Sequence, residues 1–243
     1  MKHTKMTRGK IIALFSAVGI LFGLGIAAFA WGENLQKSGA DSTVYEPFFY
    51  LFMILNIVIV IVLLANLNKV FAYEAEKTLS KIDHTRPLVI DGVSETTVRN
   101  ACAARRLYER DAIYYYRRIF SFTRDYINYF VKITNVSDIK DDIERETKLL
   151  GNQYPNKNKC LLLFLFTENV TDDDLARLKT CAASFILKEI PLPSNVRYDT
   201  TVPVLVDRQT QKAYYICLDK LGTSIVSLYH HGTKTLKKLM QTK

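Results

Sequence analysis

IIALFSAVGILFGLGIAAFAW, residues 11–31, and FFYLFMILNIVIVIVLLANL, residues 48–67, decide how the rest of this chain is read. Neither carries a charged side chain over its 21 or 20 positions. At about 1.5 Å rise per residue, a helix of either length crosses roughly 30 Å of hydrocarbon. Lipid offers no partner to an open backbone, so segments of this kind must be helical. The sequence therefore predicts an N-terminal two-helix transmembrane hairpin: a basic tail at 1–10, spans at 11–31 and 48–67, and an outer loop at 32–47. A stalk and linker at 68–93 and a domain at 94–243 follow. The fold class expected is membrane-anchored α/β (α+β).

A cleaved signal peptide competes with this reading, because Ala28-Phe29-Ala30 has the small-x-small form of a cleavage site. The apolar run is longer than the 7–15 residues of a usual signal core, which favours the uncleaved helix. A mature N-terminus at Trp31 would refute the hairpin.

Orientation follows from the flanks. The tail holds Lys2, Lys5, Arg8 and Lys10 and no acid, whereas the loop sets Lys37 against Glu33, Asp41 and Glu46. Basic ends and an acidic loop place both termini in the cytoplasm of a cell (inner or plasma) membrane. Trp31, Tyr45 and Tyr50 fall where interfacial aromatics are expected. On this topology Cys102, Cys160, Cys181 and Cys217 stay reduced, and no two of them show C-x-x-C or zinc-type spacing. The sequons at Asn135 and Asn169 are then not glycosylation acceptors.

The chain carries +9 overall, and most of that surplus lies after the second span. A basic excess favours anionic partners, though cytoplasmic faces of membrane proteins are basic for topological reasons as well. Within the spans, Gly19, Gly23 and Gly25 put small residues on one face, and Asn56 is a strongly polar group at mid-membrane that should seek an interhelical hydrogen bond. Both features point to helix packing or self-association.

Beyond the membrane the helical pattern continues as a stalk until Arg86-Pro87. Leu88 to Ile90 reads as a short strand. Ser94 is a candidate N-cap for a long amphipathic helix over 94–133, whose Tyr108, Ala112, Tyr115, Ile119, Phe122, Tyr126, Tyr129 and Ile133 step by heptad spacing. Its polar faces are rich in arginine. Arg105, Arg106, Arg110, Tyr114, Tyr115, Arg117 and Arg118 are the candidate ligand- or partner-binding residues, since arginine beside tyrosine holds phosphates and stacks on aromatic ligands. The same pattern also describes a solvated face around a tyrosine seam.

The remainder reads as a small α/β domain with a mixed sheet. Ser137 or Asp138 caps a helix closed by Gly151, and CLLLFLF at 160–166 has the continuous apolar character of a central strand. Thr171 with Asp174 forms a capping box, and the Asp172–Asp174 cluster is explained by the helix dipole rather than by a metal. TVPVLV at 201–206 and AYYICL at 213–218 make a hairpin after the turn at 191–195; Ser224 to Tyr229 reads as a further strand ending at His230-His231, with Gly232 before a last helix.

The order of elements over 159–243, with Thr201-Val202-Pro203-Val204-Leu205 as its carrying motif, resembles the thioredoxin-like fold. The resemblance implies a cis-proline at Pro203. It departs at the first helix, where TENVTDDDL has no C-x-x-C and no cysteine, so thiol chemistry is not implied.

No phosphate-cradling glycine loop, H-E-x-x-H or G-x-S-x-G is present. No catalytic residue, cofactor or metal is assigned. The function expected is a non-enzymatic membrane-anchored adaptor or structural subunit docking a cytoplasmic partner, its partners being membrane lipids and other protein subunits or further copies of itself. One alternative is a two-span membrane effector whose basic domain senses a nucleotide or nucleic acid. A second is a thioredoxin-like membrane protein.

Overall fold

The computed structural model describes residues 6–119, 126–155, 158–188, 199–217 and 227–241. It divides into two compact units, Met1–Glu76 and Lys77–Lys243.

The first unit is a helical hairpin. Helix α1 (Arg8–Lys37) starts at Thr7, whose hydroxyl accepts from the Lys10 amide. It ends where Gly39 adopts φ +81°, a left-handed position that glycine occupies without strain. Helix α2 (Ser42–His84) follows almost at once, so most of the expected outer loop at 32–47 is helical. The two helices continue past their uncharged segments. Only 6% of the most apolar window of each helix is buried, and both are long and apolar enough to cross a membrane. Where they touch, small meets aromatic. A Cβ on Gly25 would stand 3.3 Å from the Phe52 ring and one on Gly32 would stand 3.1 Å from Phe48, while Phe29 packs against Phe49 and Phe52 with centroids 5.4 and 5.2 Å apart.

The last turns of α2 belong to the second unit, where Thr78 and Ile82 are buried. The expected stalk is thus an unbroken continuation of the second apolar helix, ending just before Arg86-Pro87. The second unit is a seven-stranded mixed sheet in the order β1-β7-β6-β5-β4-β3-β2. Its strands are β1 (Leu88–Ile90), β2 (Tyr108–Arg110), β3 (Ile113–Ile119), β4 (Tyr126–Asn135), β5 (Asn158–Thr167), β6 (Asp199–Asp207) and β7 (Lys212–Tyr215). β4, β5 and β6 are parallel, and the other pairings are antiparallel.

CLLLFLF occupies β5, the central strand, in which every residue from Lys159 to Phe166 is buried. Side chains alternate across a sheet, and the register carries that alternation from strand to strand. Leu161, Leu163 and Leu165 share one face with Phe130 and Lys132 of β4 and with Thr201 and Pro203 of β6. That face is covered by α4 (Ile139–Gln153) and α5 (Asp172–Lys188); the α4 Thr147 hydroxyl lies 2.8 Å from that of Thr201. Cys160, Leu162 and Phe164 take the other face, under α6 (Leu228–Met240). There Gly232 approaches so closely that a Cβ would fall 2.6 Å from Cys160 Sγ and 2.7 Å from Val202. Helix α3 (Glu95–Ala104) lies against α6.

Several expectations are corrected. The heptad stripe over 94–133 is not one helix: α3 stops at Ala104 and is followed by β2, a two-residue turn, β3 and β4. Tyr108 sits in β2, Ala112 in the turn, Tyr115 on the α4 face, and Tyr129 and Ile133 on the opposite one. β-branched and aromatic runs such as IYYY and YINYFV favour a pleated surface, and cross-strand pairing there outweighs a 3.5-residue pattern that never had a partner helix. Phe122, Arg124 and Asp125 lie outside the described residues, as do the tail residues Lys2 and Lys5, Leu218, and the turn at 191–195. Gly151 lies inside α4, which is capped by Tyr154. Ser227 is the N-cap of α6 and Leu228 and Tyr229 are helical, so the expected last strand is absent among the described residues and His230, His231 and Gly232 all lie within the helix. Finally, no peptide bond among the described residues is cis, so the cis-proline expectation at Pro203 fails. Pro203 stands in β6 short of Leu205, where pairing with β7 begins, a place where a strand tolerates a missing N–H.

The β2–β3 turn contains a correctable strain. Asp111 and Ala112 have φ of +52° and +59°, the signature of a type I′ turn, which prefers Asn-Gly. Ala112 is exposed, so its methyl gains nothing there. Ala112→Gly should stabilise the unit by about 0.5–1 kcal/mol, the relief of left-handed strain less the added freedom of the unfolded chain. Thermal unfolding checks it; a lower midpoint in the variant would exclude this account of the turn.

Candidate docking surface

The arginines and tyrosines singled out in the sequence converge on the β2–β3–β4 side of the sheet, but on both of its faces. Tyr114 is buried, and its hydroxyl accepts a 3.4 Å hydrogen bond from Arg99, which also binds Glu95 at 2.8 Å. Tyr115, on the α4 face, donates to Asn128 at 2.8 Å and packs on Phe130 with centroids 5.2 Å apart. On the α6 face Tyr116 stacks on Tyr129 at 4.9 Å; burial pushes both phenols up, against a hydrogen bond from Thr235 that pulls them down. The tyrosines are therefore structural ties, and the arginines form the accessible part. Arg105 donates to the Lys238 carbonyl at the end of α6, and Arg110 is 3.6 Å from the Asp111 carboxylate. Arg117 lies over the Tyr126 ring at 3.5 Å. Arg106, Arg117 and Arg118 are exposed and meet no carboxylate among the described residues.

Beside this surface, on the α4 face, lies a groove of about 470 Å³ between β3, β4 and the end of α4. Ile113, Leu150 and Leu161 form its apolar wall. The buried Glu146 carboxylate in it bonds Lys132 and also lies 3.2 Å from Arg145. Its charges are thus already compensated within the fold.

At the opposite end of the strands the chemistry is that of capping. Asp138 caps α4 by accepting from the amides of Lys140 and Asp141. Asp142, fully buried, reaches back to the amides of Ser137 at 2.7 Å and Asp138 at 3.1 Å and meets Arg145 at 2.7 Å. Burial pushes its carboxyl up, but those amides, the Ser137 hydroxyl and Arg145 together hold it below the usual carboxylate range. Asp207 is likewise held down, chiefly by the Thr210 amide in the β6–β7 turn. The parallel strands β4, β5 and β6 follow one another across the sheet in sequence order, with both crossover helices on one face.

All four cysteines are free and buried. Burial pushes the Cys102 thiol up to about 12 and raises that of Cys181, so these two are neutral thiols with the packing role of small hydrophobes. No group of three or more His, Cys, Asp or Glu is arranged for a metal among the described residues. Asp172 to Asp174 form the first turn of α5, where the Thr171 amide and hydroxyl bind Asp174 and the Asp174 amide binds Thr171.

In the hairpin unit, Gly25 lies against α2, whereas nothing stands within 4 Å of a Cβ built on Gly19 or Gly23. Gly32, in the segment expected as a polar outer loop, is the other glycine of α1 that lies against α2. Asn56 donates to the Phe52 carbonyl of its own helix at 2.8 Å instead of across to α1, since a backbone carbonyl one turn away is always within reach.

No family model, no curated protein and no solved structure matches the chain.

Proposed function

We propose that this protein is a two-pass membrane-anchored docking subunit: the hairpin holds it in a cell membrane with both termini in the cytoplasm, and the α/β unit binds a protein partner. The observation that carries the reading is the exposure of the two apolar helices. Ile12, Ile20, Leu24, Ile54, Ile61 and Leu64 are all at least half exposed, an apolar area far beyond what a water-soluble monomer presents. Lipid is the cover that fits two uncharged segments of this length. The basic N-terminal flank and the acidic stretch between the helices support the orientation. Docking is supported by the exposed Arg106, Arg117 and Arg118, while Asp138, Asp142, Glu146 and Asp207 are engaged in capping and charge compensation among the described residues.

The test is sidedness. In sealed inverted vesicles, added protease should remove the unit that follows α2 and leave a protected fragment of about 9 kDa or less; right-side-out vesicles should protect that unit. Cleavage from the outside of intact cells would overturn the orientation, and release of the chain from vesicles by alkaline carbonate would overturn the anchor.

A further inference from the structure

We propose that the open edge of β3 takes up a short acidic segment of a partner protein as an added β-strand, with Arg117 and Arg118 pairing its carboxylates. This rests on the reading of the α/β unit as a docking module and gives its partner a chemistry.

The edge follows from the register. β3 spans seven residues, but β2 spans three and pairs only with Ile113, Tyr114 and Tyr115. In an antiparallel ladder the N–H and C=O of one residue point to the same neighbour, and successive residues alternate. The two-residue turn makes Arg110 and Ile113 a hydrogen-bonded pair. Ile113 and Tyr115 therefore address β2, Tyr114, Tyr116 and Arg118 address β4, and Arg117 and Ile119 point their main-chain groups to the side that β2 leaves uncovered. No strand pairs there among the described residues. The chain entering β2 does not run on alongside, because Leu107 turns back to bond the Cys102 carbonyl at 3.1 Å.

Charge selects the occupant. Arg117 and Arg118 point to opposite faces, so one added strand with two adjacent acids reaches both. Arg106 lies exposed at the entry to β2. Stacking on Tyr126 holds the Arg117 guanidinium in place at 3.5 Å, which reduces the rotamer entropy lost on pairing. A second copy of this chain is disfavoured, because pairing like edges would set these arginines against themselves. A DNA backbone offers acceptors only and leaves the Arg117 carbonyl without a donor, whereas an extended peptide satisfies N–H and C=O alike.

The probe is a fluorescent capped hexapeptide, VVEEVV, titrated against the full chain in lipid nanodiscs. Binding should weaken by about tenfold or more for R117E/R118E, and also for the peptide N-methylated at alternate residues, which leaves its charge intact and the protein unaltered. Absence of binding would overturn the proposal, as would equal binding of the N-methylated peptide or binding of single-stranded oligothymidylate in preference to the peptide. Flotation of the same samples with liposomes reads the anchor separately, so a failed edge is distinguishable from a failed membrane reading.

Discussion

Gly232→Val should lower the thermal unfolding midpoint of the α/β unit by roughly 6–12 °C, corresponding to about 3 kcal/mol. α6 lies on the sheet with no side chain at this position, and even a bare Cβ would come within 2.6 Å of Cys160 Sγ and 2.7 Å of a Val202 methyl. Neither obstacle is the far end of a flexible chain; each is a single bond from a Cβ in a buried central strand. The helix must therefore lift, opening the layer that Leu236 and Leu239 close. Gly232→Ala should cost less, about 1–3 kcal/mol, because the helix propensity of alanine offsets part of the clash. Cys160→Ala removes one of the two obstacles, so it should rescue part of the Gly232→Ala loss in a double-mutant cycle. Strict additivity of the two substitutions would show that α6 does not rest on β5 at this point.

Asp142→Ala should cost about 1–3 kcal/mol at neutral pH, since it removes the buried carboxylate that accepts from the Ser137 and Asp138 amides. The carboxyl also fixes the direction of the pH dependence. Its folded value lies below the unfolded one, so the folded state binds this proton less readily. The stability it contributes is fully present above the unfolded value near pH 4 and is lost as pH falls through the lowered folded value. Asp207 acts in the same sense. Denaturant titrations between pH 7 and pH 3 should therefore show stability falling with acid in the wild type and falling less steeply in Asp142→Asn. An unchanged slope would remove Asp142 from the acid response.

What could be read from the chain alone was whatever short-range physics decides. Two uncharged segments of membrane-spanning length have one backbone solution, and the structure forms both as helices. CLLLFLF has the length and continuous apolar character of a strand covered on both faces, and it stands fourth of seven. The caps at Ser94 and Thr171 are hydrogen bonds between residues three apart and needed no tertiary knowledge, whereas the structure chose Asp138 over Ser137 for α4. The β6–β7 hairpin was marked by its apolar runs and the polar DRQTQK between them, of which the structure takes Asp207 and Lys212 into the strands.

The tertiary structure alone decided the fate of residues 105–119 and 126–135. Their tyrosines satisfy helical and extended spacing equally, and the turn that separates β2 from β3 uses Asp-Ala, without the glycine that would have announced it. Pairing with β5 resolved the ambiguity, because only a β4 strand buries Phe130 and Val131 against the leucines of the centre. The same pairing turned a presumed arginine-rich helix face into a sheet edge, with its guanidinium groups divided between two faces. Gly232 became a packing contact rather than a helix boundary for a similar reason: whether a glycine ends a helix or lets one lie flat depends on what stands beneath it, and that is set by residues some seventy positions away.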